Sequence, residues 1–480
     1  MDQGPRENEF RQQRLANMEK LVGMGYKPFG QAFERSGRLQ EVIDRFAEGG
    51  KEKIAGRIVS RRQMGKSIFA HLQDGAAKFQ VYVKKDAVGE QAFAAFELLD
   101  LGDFIGATGE LFTTKTGERS LKVNEWTLLS KALLPLPEKW HGLQDVETRY
   151  RHRYLDLIAN PEVRELFNKR VEMIREIRSI LFSRGFYEVE TPMLQATAGG
   201  AAANPFVTHY KALSQDMYMR IAPELYLKRL LVGGFDKVFE LNRNFRNEGL
   251  DRSHNPEFTM LEIYEAYGDL RSMLALVQDL IVQVAQKVFG TLKVGAGEAE
   301  VDLTPPWPQL PYRDAIRQKA GDDWFELPLE KMRERAQGMG LSIDPAWSAV
   351  EVTHEIYEKL IEKTFKNPVF VTRFPAQLIP LAKRCEDDPS LVDVFELVIR
   401  GWEVAPAYSE LNDPIEQRKR FEEQAQGHAQ KLDEEFLTAM EHGMPPAGGM
   451  GIGIDRLAMV LTGMDAIRDV VLFPQLKNKD

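Results

Sequence analysis

A turn between two strand-like segments constrains the fold of this chain more than any other feature. The run KVFELNRNF (237–245) enters the turn, and a mixed apolar segment (258–267) leaves it. Between these segments the chain places Arg246, Glu248 and His254 around a glycine. Any one of these residues alone is better explained as a solvated surface charge. The ordered set predicts a hairpin whose turn binds a charged ligand.

A second run, GMGIGIDR, ends at Arg456 and is followed by the helical pattern LAMVLTGM. A nucleotide-binding site needs cations at the phosphates and a platform for the base. Arg246 offers a planar fork that can hold a phosphate and a carboxylate together. Phe258 offers a ring face, and Arg456 can cover the other face of the base by a cation–π contact. The turn can aim Glu248 at the amino group of adenine and His254 at phosphate or base.

Two common nucleotide-binding motifs fail on spacing. The segment GKS (65–67) resembles the end of a Walker A loop, but Ser60 stands where the first glycine of that loop should be. The glycines of GMGIG (449–453) are spaced GxGxG rather than GxGxxG, and no acidic residue follows at the distance expected in a βαβ unit. The predicted nucleotide site is therefore neither a P-loop nor a Rossmann site.

Composition sets the broader frame. With 480 residues, 43% of them hydrophobic and 28% charged, the chain is predicted to be globular, with about two or three domains. Its single cysteine, Cys385, excludes an intrachain disulfide and a cysteine-based zinc site, and fits a reducing cytoplasm. The polar, charged N-terminal residues predict that there is no signal peptide, and the lack of a run of about eighteen apolar residues predicts no membrane span. A net charge of −9 argues against indiscriminate nucleic-acid binding.

Short alternating strands separated by glycine-containing turns occupy residues 50–130 and predict a small antiparallel barrel. Its first segment is locally basic, and aromatic residues such as Phe69 and Tyr82 are interleaved with it. Stacking faces in a cationic groove hold single-stranded bases in oligonucleotide-binding folds. Taken alone, a basic surface over core aromatics explains the pattern equally well. Pro135 and Pro137 then mark a predicted domain boundary.

Two amphipathic helices are predicted from apolar spacing. The first covers residues 8–26, with Leu21 and Val22 among its apolar positions. The second is long, begins after Pro161, and leads into a strand-like segment that Pro192 ends. Periodicity alone assigns the second helix to an ordinary core.

The order of barrel, long helix, hairpin and glycine run resembles the class II aminoacyl-tRNA synthetases of the aspartate, asparagine and lysine subclass, and within it the lysyl-tRNA synthetases. The lysine-type segments are GGAAANPF (199–206), RIAPELYLKR (220–229), FRNEG, HNPEFT, AYSELNDP (407–414) and EHGMPP. The resemblance extends from about residue 50 to the C-terminus. It implies an α+β fold: an N-terminal five-stranded OB-fold β-barrel and a catalytic domain whose antiparallel sheet is flanked by helices.

The resemblance also implies how the chain is divided. The expected parts are an N-terminal helical extension (1–48), an OB-fold anticodon-binding domain (49–137), a linker (138–158) and a class II catalytic domain (159–480). Within the last, the helix of residues 161–184 and the strand to Pro192 match motif 1, which builds the homodimer interface in the family.

Residue roles follow by position in the family. The expected catalytic residues are Arg246 and Arg456. The expected ATP-binding residues are Arg246, Glu248, His254, Asn255, Phe258 and Arg456. The expected lysine-binding residues are Gly200, Glu224, Arg246, Glu262, Tyr264, Tyr408 and Glu410. The expected metal ligands are Glu396 and Glu403, and the expected anticodon-binding residues are Phe69, Gln80 and Glu125.

The activity implied is ATP-dependent conversion of L-lysine to lysyl-adenylate and transfer of lysine to the 3′ end of tRNA(Lys). The resemblance further implies Mg²⁺ as the metal cofactor, a homodimer, a cytoplasmic location and no membrane partner. Mg²⁺ prefers a few carboxylates together with phosphate oxygens, so two glutamates suffice for its site.

Three positions depart from the family pattern. Ser253 stands where many members have an arginine before the motif-2 histidine, with Arg252 one residue earlier. Pro406 replaces a usual asparagine, and Trp402 replaces a common lysine or arginine. A phosphate contact near Ser253 must therefore come from Arg252 or be absent, and the details of the amino-acid pocket around Pro406 are expected to differ.

Three alternatives remain at this stage. An aspartyl- or asparaginyl-tRNA synthetase would share the architecture, but an acidic substrate needs Arg or Lys where this chain offers Glu224, Glu262 and Glu410. A lysyltransferase acting on a protein such as elongation factor P would lack the N-terminal barrel. The third alternative is an RNA-binding protein with a silent catalytic domain. The residues that argue against it are those of an intact nucleotide site: Arg246, Glu248, Phe258 and Arg456.

Overall fold

The computed structural model describes residues 5–75, 77–136, 143–201, 203–425 and 433–477. The predicted boundary at Pro137, residues 138–142 of the predicted linker, and Ala202 of the segment GGAAANPF lie outside the described residues, as do the ends of the chain at 1–4 and 478–480. The chain divides into two compact units, Met1–Arg164 and Glu165–Asp480.

The first unit contains a closed five-stranded barrel among its described residues. Its strands are β1 (Lys51–Met64), β2 (Ser67–Asp74), β3 (Ala77–Lys84), β4 (Phe104–Thr113) and β5 (Arg119–Ser130). They follow the order β1-β2-β3-β5-β4 around the barrel, in which only the β3–β5 pairing is parallel. Side chains alternate as expected for strands with one buried face. On β2, for example, Ile68 and Ala70 are wholly buried, whereas Phe69 points outward.

Short helices accompany the barrel. The helices of this unit are α1 (Pro5–Gly23), α2 (Leu39–Asp44), α3 (Lys85–Val88), α4 (Glu90–Glu97), α5 (Val146–Arg151) and α6 (Arg153–Ala159), and α7 (Pro161–Ser183) follows. The predicted N-terminal helix is therefore present, but its apolar face is narrower than predicted. Leu21 is buried in the barrel core, whereas Val22 is 52% exposed.

The second unit contains both strands and helices. Its strands are β6 (Tyr187–Glu188), β7 (Leu194–Gln195), β8 (Val207–Tyr210), β9 (Gln215–Met219), β10 (Lys237–Phe245), β11 (Glu257–Ala266), β12 (Lys293–Val294), β13 (Val301–Asp302), β14 (Gln309–Pro311), β15 (Val369–Thr372), β16 (Val394–Ile399), β17 (Trp402–Ser409) and β18 (Ala447–Gly453). Its helices are α8 (Glu224–Val232), α9 (Leu270–Val284), α10 (Tyr312–Ala320), α11 (Leu329–Gly338), α12 (Ala349–Ile356), α13 (Pro414–Ala425), α14 (Glu434–Glu441), α15 (Ile454–Thr462) and α16 (Ile467–Val470). Single turns of 3₁₀ or π helix lie at Ala285–Phe289, Gly297–Ala299, Trp324–Glu326, Tyr357–Ile361 and Glu362–Thr364.

Eight strands of the described residues form the main sheet, in the order β14-β15-β16-β17-β18-β11-β10-β6. The predicted α+β fold with a barrel and a helix-flanked sheet is confirmed. The sheet is antiparallel through its centre, but its two outermost pairings, β14–β15 and β10–β6, are parallel. Both edge strands are short, at three and two residues, so sequence alternation gave no signal for their direction.

One face of this sheet packs on helices to form the largest core. Helix α9 contributes Met273, Val277 and Leu280, all wholly buried. The stretch Leu270–Phe289 is long and apolar enough, by length and composition, to cross a membrane, and it is the one such stretch in the described part of the chain. Because the apolar side of α9 is packed against strands β16, β17 and β18 of the sheet, its composition is that of a core helix. The opposite face of the sheet is left for the site described next.

Candidate active site

Three adjacent strands, β11, β18 and β17, form the floor of a pocket. Their register places Tyr264, Gly449 and Tyr408 in one row across the sheet. Alternation along β11 sends Leu261 and Ile263 into the main core, so Tyr264 stands on the opposite face. The glycine between the two tyrosines leaves the space that a side chain would fill.

Gly449 shows how closely the walls of this pocket approach the sheet. A Cβ atom at this position would overlap Oε1 of Glu410 and would lie 2.6 Å from a ring carbon of Tyr264. The glycine-rich sequence of β18 is therefore needed for close approach of side chains from neighbouring segments, not for a phosphate-binding turn. Gly200 has a related role. Its φ is +87°, and a Cβ atom added to it would lie 3.3 Å from the Cβ of Glu224.

Three carboxylates meet in the pocket and are almost wholly buried. Glu224 begins α8, Glu262 lies on β11, and Glu410 follows β17; their exposed fractions are 5%, 5% and 1%. The Tyr408 hydroxyl donates to Oε1 of Glu224 at 2.9 Å, and the Tyr264 hydroxyl donates to Oε2 of Glu262 at 3.0 Å. Five of the seven residues that the sequence assigned to lysine binding, taken from separate segments, are thus brought together.

The carboxylates of the pocket repel one another, because nearby cations do not balance their negative charge. Burial, together with the charge of Glu224, raises the pKa of Glu262 to about 8. Burial also raises the pKa of Glu410 to about 8, against the opposing effect of Lys228. Burial and the same carboxylates hold the pKa of Tyr264 and Tyr408 well above the usual value, so both phenols remain donors. A bound cation would relieve this repulsion.

Lys228 is a member of this cluster that the sequence analysis missed. Its Nζ lies 2.7 Å from Oε1 of Glu224 and also contacts Oε2 of Glu410. The signal for the first contact was present in the sequence, because a lysine four residues after a glutamate on a helix faces it. Nothing in the sequence indicated the contact with Glu410, since that residue is distant along the chain.

A second cavity, of about 430 Å³, adjoins the hairpin of β10 and β11. Every residue assigned to ATP from the sequence lines it: Arg246, Glu248, His254, Asn255, Phe258 and Arg456. The β10–β11 register, from Lys237 opposite Glu265 to Phe245 opposite Glu257, fixes the predicted hairpin. Arg456 reaches the same cavity because β18, which leads into α15, pairs with β11.

Arg246 is a half-buried cation of this cavity, and its guanidinium is incompletely paired. Its Nε is buried and has no hydrogen-bond partner among the described residues. The guanidinium lies 5.1 Å from the centroid of the Phe258 ring. Burial lowers the pKa of Arg246, while the charges of Glu403, Glu248 and Glu262 oppose that effect. Its field thus reaches both the acidic pocket, at Glu262, and the second cavity, which suits a group that holds an anion between them.

A chain of three side chains orients Arg456. Although burial acts in the opposite direction, hydrogen bonds from His254 and Ser253 lower the pKa of Asp251 to about 2. The ionised Asp251 accepts from Nδ1 of His254 at 2.8 Å, which leaves Nε2 of that ring to accept from Arg456 at 3.1 Å. Arg456 also donates to the backbone carbonyl of Glu403 at 2.7 Å. The arginine is therefore aimed across the cavity mouth.

The three departures from the family pattern all border this cavity. Ser253, Trp402 and Pro406 are among its lining residues. Arg252, in contrast, is exposed and does not line the cavity, and its backbone carbonyl accepts from the amide of Ile467 at 2.7 Å. Ser253, which replaces the arginine usual in the family, bonds within the turn. Its hydroxyl donates to Asp251 at 3.1 Å.

Glu396 and Glu403 lie on neighbouring strands, β16 and β17. Burial and then the charge of Glu403 raise the pKa of Glu396 well above its usual range, and the Tyr357 hydroxyl donates to Glu396 at 3.0 Å. Two half-buried carboxylates that repel each other suit a divalent cation. In the described part of the chain, no group of three or more His, Cys, Asp or Glu side chains forms a complete metal site. An ion held here would need oxygen ligands from its substrate.

Asp455, between the glycine run and Arg456, has a structural part that the sequence analysis did not assign. Its carboxylate accepts from the backbone amide of Thr259 at 2.8 Å and from Arg170 at 2.6 Å. It therefore ties the start of α15 to β11 and to α7, and so fixes the position from which Arg456 extends.

The predicted anticodon residues lie in the first unit, on the outer surface of the barrel. Phe69 on β2 faces Tyr82 on β3, with ring centroids 4.8 Å apart. Gln80 is only 7% exposed, because its amide donates to Glu118 at 2.7 Å and accepts from Ser120 at 2.7 Å. Glu125 is exposed on β5. A base can stack on the aromatic pair directly, whereas a contact with Gln80 requires Glu118 to move.

Comparison with known proteins agrees with this geometry. Residues 145–477 match the family of tRNA synthetases class II (D, K and N), and residues 52–129 match the OB-fold nucleic acid binding domain. The chain is 49% identical to a lysine--tRNA ligase of Pelotomaculum thermopropionicum, over 98% of this chain and 96% of the relative. It is 48% identical to a lysine--tRNA ligase of Carboxydothermus hydrogenoformans (98% and 99% covered) and 46% identical to that of Bacillus subtilis (98% of each). The chain belongs to the class II tRNA synthetases of the D, K and N group and, within that group, to the lysine--tRNA ligase family.

Proposed function

We propose that this chain activates L-lysine with ATP to form lysyl-adenylate and transfers the lysyl group to the 3′ end of tRNA(Lys). The observation that carries the proposal is the buried pocket of Glu224, Glu262 and Glu410 next to a cavity lined by Arg246 and Arg456. A pocket with three buried carboxylates attracts a substrate with two ammonium groups and repels an acidic one. This favours lysine over aspartate or asparagine.

In the amino-acid pocket, Glu224 takes the α-ammonium, and Glu262 and Glu410 enclose the ε-ammonium. Tyr264 and Tyr408, as permanent donors, hold one oxygen each of Glu262 and Glu224 and leave the others to the ligand. Gly200 leaves room beside Glu224 for the substrate backbone. An uncharged isostere of lysine would leave these carboxylates buried and unpaired, so it should be rejected strongly.

In the nucleotide cavity, adenine stacks on Phe258 and is covered on its other face by Arg456. Glu248 accepts from the adenine amino group, and His254 and Asn255 border the phosphates. The Arg246 guanidinium lies 5.1 Å from the centroid of the Phe258 ring, so it is expected to turn toward the α-phosphate when adenine stacks on that ring. The carboxylate of lysine then meets Arg246 from the other side.

The chemical step requires no general base, because the carboxylate of lysine is already ionised at neutral pH. One carboxylate oxygen attacks the α-phosphorus, a new P–O bond forms to that oxygen, and the P–O bond to pyrophosphate breaks. Arg246 and Arg456 position the two reactants and stabilise the charge that develops on the phosphate oxygens. Glu396 and Glu403 would hold Mg²⁺, which supplies positive charge for the departing pyrophosphate.

Binding of tRNA is assigned to the barrel, with Phe69 stacking on an anticodon base and Gln80 and Glu125 reading base edges. The proposed location of the protein is the cytoplasm, where tRNA is charged. Domain boundaries at residues 48, 137 and 158 stay predictions, because the division of the chain into units does not bear on them.

The proposed homodimer uses α7 and the strand that follows it. Support comes from the apolar residues that α7 exposes: Val171 is 58% and Phe182 is 52% exposed, and both line a groove of about 570 Å³. Tyr187 on the edge strand β6 is 64% exposed. Large apolar side chains grouped on one helix and the adjacent sheet edge are typical of a surface that a second copy covers.

Aminoacylation tests the proposal. The full chain is incubated with ATP, Mg²⁺, radiolabelled lysine and an unmodified transcript of tRNA(Lys), and acid-precipitable label is counted. Charging of tRNA(Lys) by lysine, and no charging of tRNA(Asp) or tRNA(Asn) by any amino acid, is the expected result. Adenylate formation without transfer to tRNA(Lys) would contradict the second half of the proposal.

A further inference from the structure

Lys228 is a fully buried cation inside the pocket assigned to a cationic substrate. Its side chain and that of Glu410 have no exposure at all, and the side chain of Glu224 has 6%. Its ammonium contacts both carboxylates and lies 5.6 Å from the centroid of the Tyr408 ring. A lysine is rarely buried so deeply unless its charge is paired.

The contacts of Lys228 fix one oxygen of each of two carboxylates. Oε1 of Glu224 receives both the ammonium, at 2.7 Å, and the Tyr408 hydroxyl, at 2.9 Å. On Glu410, Oε2 faces the ammonium, while Oε1 is buried and accepts no hydrogen bond from any described residue. That unpaired oxygen borders the space above Gly449. The orientation of Glu410 toward a ligand therefore depends on Lys228.

The charges of the pocket can be counted. Glu224, Glu262 and Glu410 supply three negative charges when ionised, and Lys228 supplies one positive charge. The two ammonium groups of a lysine substrate bring the sum to zero, since Arg246 pairs with the substrate carboxylate. Unbalanced charge in a buried site is costly, so the sum decides which ligand is accepted.

We propose that Lys228 is a positioning and specificity-determining residue of the amino-acid pocket. Its ammonium orients Glu224 and Glu410 and sets the pocket charge to the value that two substrate ammonium groups neutralise. The inference rests on the proposed function, because it takes lysine as the substrate. Glu224 and Glu410 would contact the ligand, whereas Lys228 would act through them by holding both carboxylates in position.

The groups that face Lys228 determine how its loss would show. They are Glu224 on the same helix, Tyr408 on β17 and Glu410 after that strand, with Glu262 and Tyr264 of β11 behind them. Burial lowers the pKa of Lys228, but the charges of Glu224 and Glu410 outweigh burial and raise it, so the ammonium persists at neutral pH. Lys228 in turn lowers the pKa of Glu410. Without it, Glu410 would bind a proton instead of the substrate up to a higher pH.

The experiment measures lysine-dependent pyrophosphate–ATP exchange between pH 6.5 and pH 9 for the unmodified chain and for Lys228→Met, Lys228→Arg and Lys237→Met. Lys237 is a matched control, since its ammonium pairs with Glu265 at 2.7 Å outside the pocket. For Lys228→Met we expect KM for lysine to rise about 10-fold or more at pH 7, the effect of one pKa unit. The pH at which KM levels off should move upward, and KM for ATP should stay within about twofold. Lys228→Arg should keep the pH midpoint of the unmodified chain, and Lys237→Met should keep all parameters.

A charge-balanced double variant separates this role from simple support of the fold. Glu410→Gln alone leaves one negative charge against two substrate ammonium groups, and Lys228→Met alone leaves three. Together the two substitutions leave two negative charges. The affinity of the double variant for lysine should therefore be at least about 10-fold higher than the sum of the single effects predicts. If Lys228→Met alone does not fold, the double variant is compared directly with Glu410→Gln. The charge count predicts that the double variant binds lysine more tightly than Glu410→Gln, and weaker binding would overturn the inference.

The outcomes are distinct. Additive effects in the double variant, or an unchanged KM and pH profile in Lys228→Met, would overturn the inference while lysine activation by the unmodified chain stands. Equal increases in KM for lysine and in KM for ATP would also overturn the inference, since they would indicate that Lys228 has only a general structural role. Failure of the unmodified chain to activate lysine would instead overturn the proposed function.

Discussion

We expect adenylate formation to depend strongly on Arg246, because its half-buried side chain lines the nucleotide cavity and its charge also acts on Glu262 of the acidic pocket. Since catalysis here is positioning and charge stabilisation, loss of one such donor should cost about 10²-fold or more in turnover. We therefore expect Arg246→Ala to reduce the kcat of lysine-dependent pyrophosphate exchange by that factor. Arg243→Ala is the control, because Arg243 is 39% exposed at its side chain and does not line the cavity. Near-normal kcat in Arg246→Ala would remove this arginine from the mechanism.

The raised pKa values of the pocket predict how lysine binding varies with pH. Glu262 and Glu410 have pKa values of about 8 without substrate, whereas an ammonium bound between them favours their ionised forms. Full affinity is therefore expected above pH 8 and should be lost as the pH falls, because binding must then expel protons. KM for lysine should be about 10-fold or more higher at pH 6.5 than at pH 8.5.

Calorimetry provides an independent measurement of the same linkage. Lysine binding at pH 7, repeated in buffers of different ionisation enthalpy, should release protons to the buffer. The Glu262→Gln variant, which removes one titrating group, should release fewer. Proton uptake, or no exchange with the buffer, would show that the carboxylates are already ionised in the free pocket.

At the scale of elements, the glycine-rich strand β18 is expected to be intolerant of even one methyl group. Gly449→Ala would overlap Glu410 and press on Tyr264, so the carboxylate must move. A displacement of about 1 Å in a binding group can cost about 10²-fold. We expect Gly449→Ala to lower kcat/KM for lysine by at least that factor. Gly338→Ala is the control, because no atom lies within 4 Å of its added Cβ and it ends helix α11. Similar losses in both variants would mean that the effect is not local.

The hairpin and the barrel could be predicted from the sequence because their signals are local. Two strand-like segments with a charged turn between them are a pattern of neighbouring residues, and the register of β10 and β11 confirms the hairpin. Arg246, Glu248 and Phe258 were singled out by their chemistry around that turn and by the family resemblance. Long-range contacts had no such signal. The contact of Lys228 with Glu410 and the hydrogen bond of Arg170 with Asp455 join residues far apart in the chain. They follow from sheet order, which periodicity does not specify.

Burial was a further quantity that the sequence could not supply. Gln80 reads as a polar residue on a barrel strand, but Glu118 and Ser120 cover its amide. The spacing of apolar residues places Val22 on the apolar side of α1, but in the structure Val22 is exposed to solvent. In each case tertiary context, rather than residue type, decides whether the side chain is available to a ligand.

At the scale of the whole molecule, anticodon recognition and amino-acid activation are assigned to different units. Phe69→Ala should therefore weaken tRNA charging and leave pyrophosphate exchange largely intact. Loss of one stacked base costs roughly 1–3 kcal/mol, which should appear as a higher KM for tRNA. Phe10→Ala, which removes an exposed ring from α1, is the control. Equal loss of charging and exchange would instead mean that the aromatic face supports the fold of the enzyme.

Substrate identity is the central claim, and amino-acid-dependent pyrophosphate–ATP exchange by the unmodified chain tests it most directly. Each of the twenty amino acids is supplied separately with ATP and Mg²⁺ at pH 8, where the pocket carboxylates are poised to ionise. Exchange should be supported by lysine, with glutamate, aspartate and asparagine at background, because an acidic or neutral side chain leaves Glu262 and Glu410 unpaired. Preferential exchange with aspartate, asparagine or glutamate over lysine would contradict the assignment of the pocket and of the function built on it.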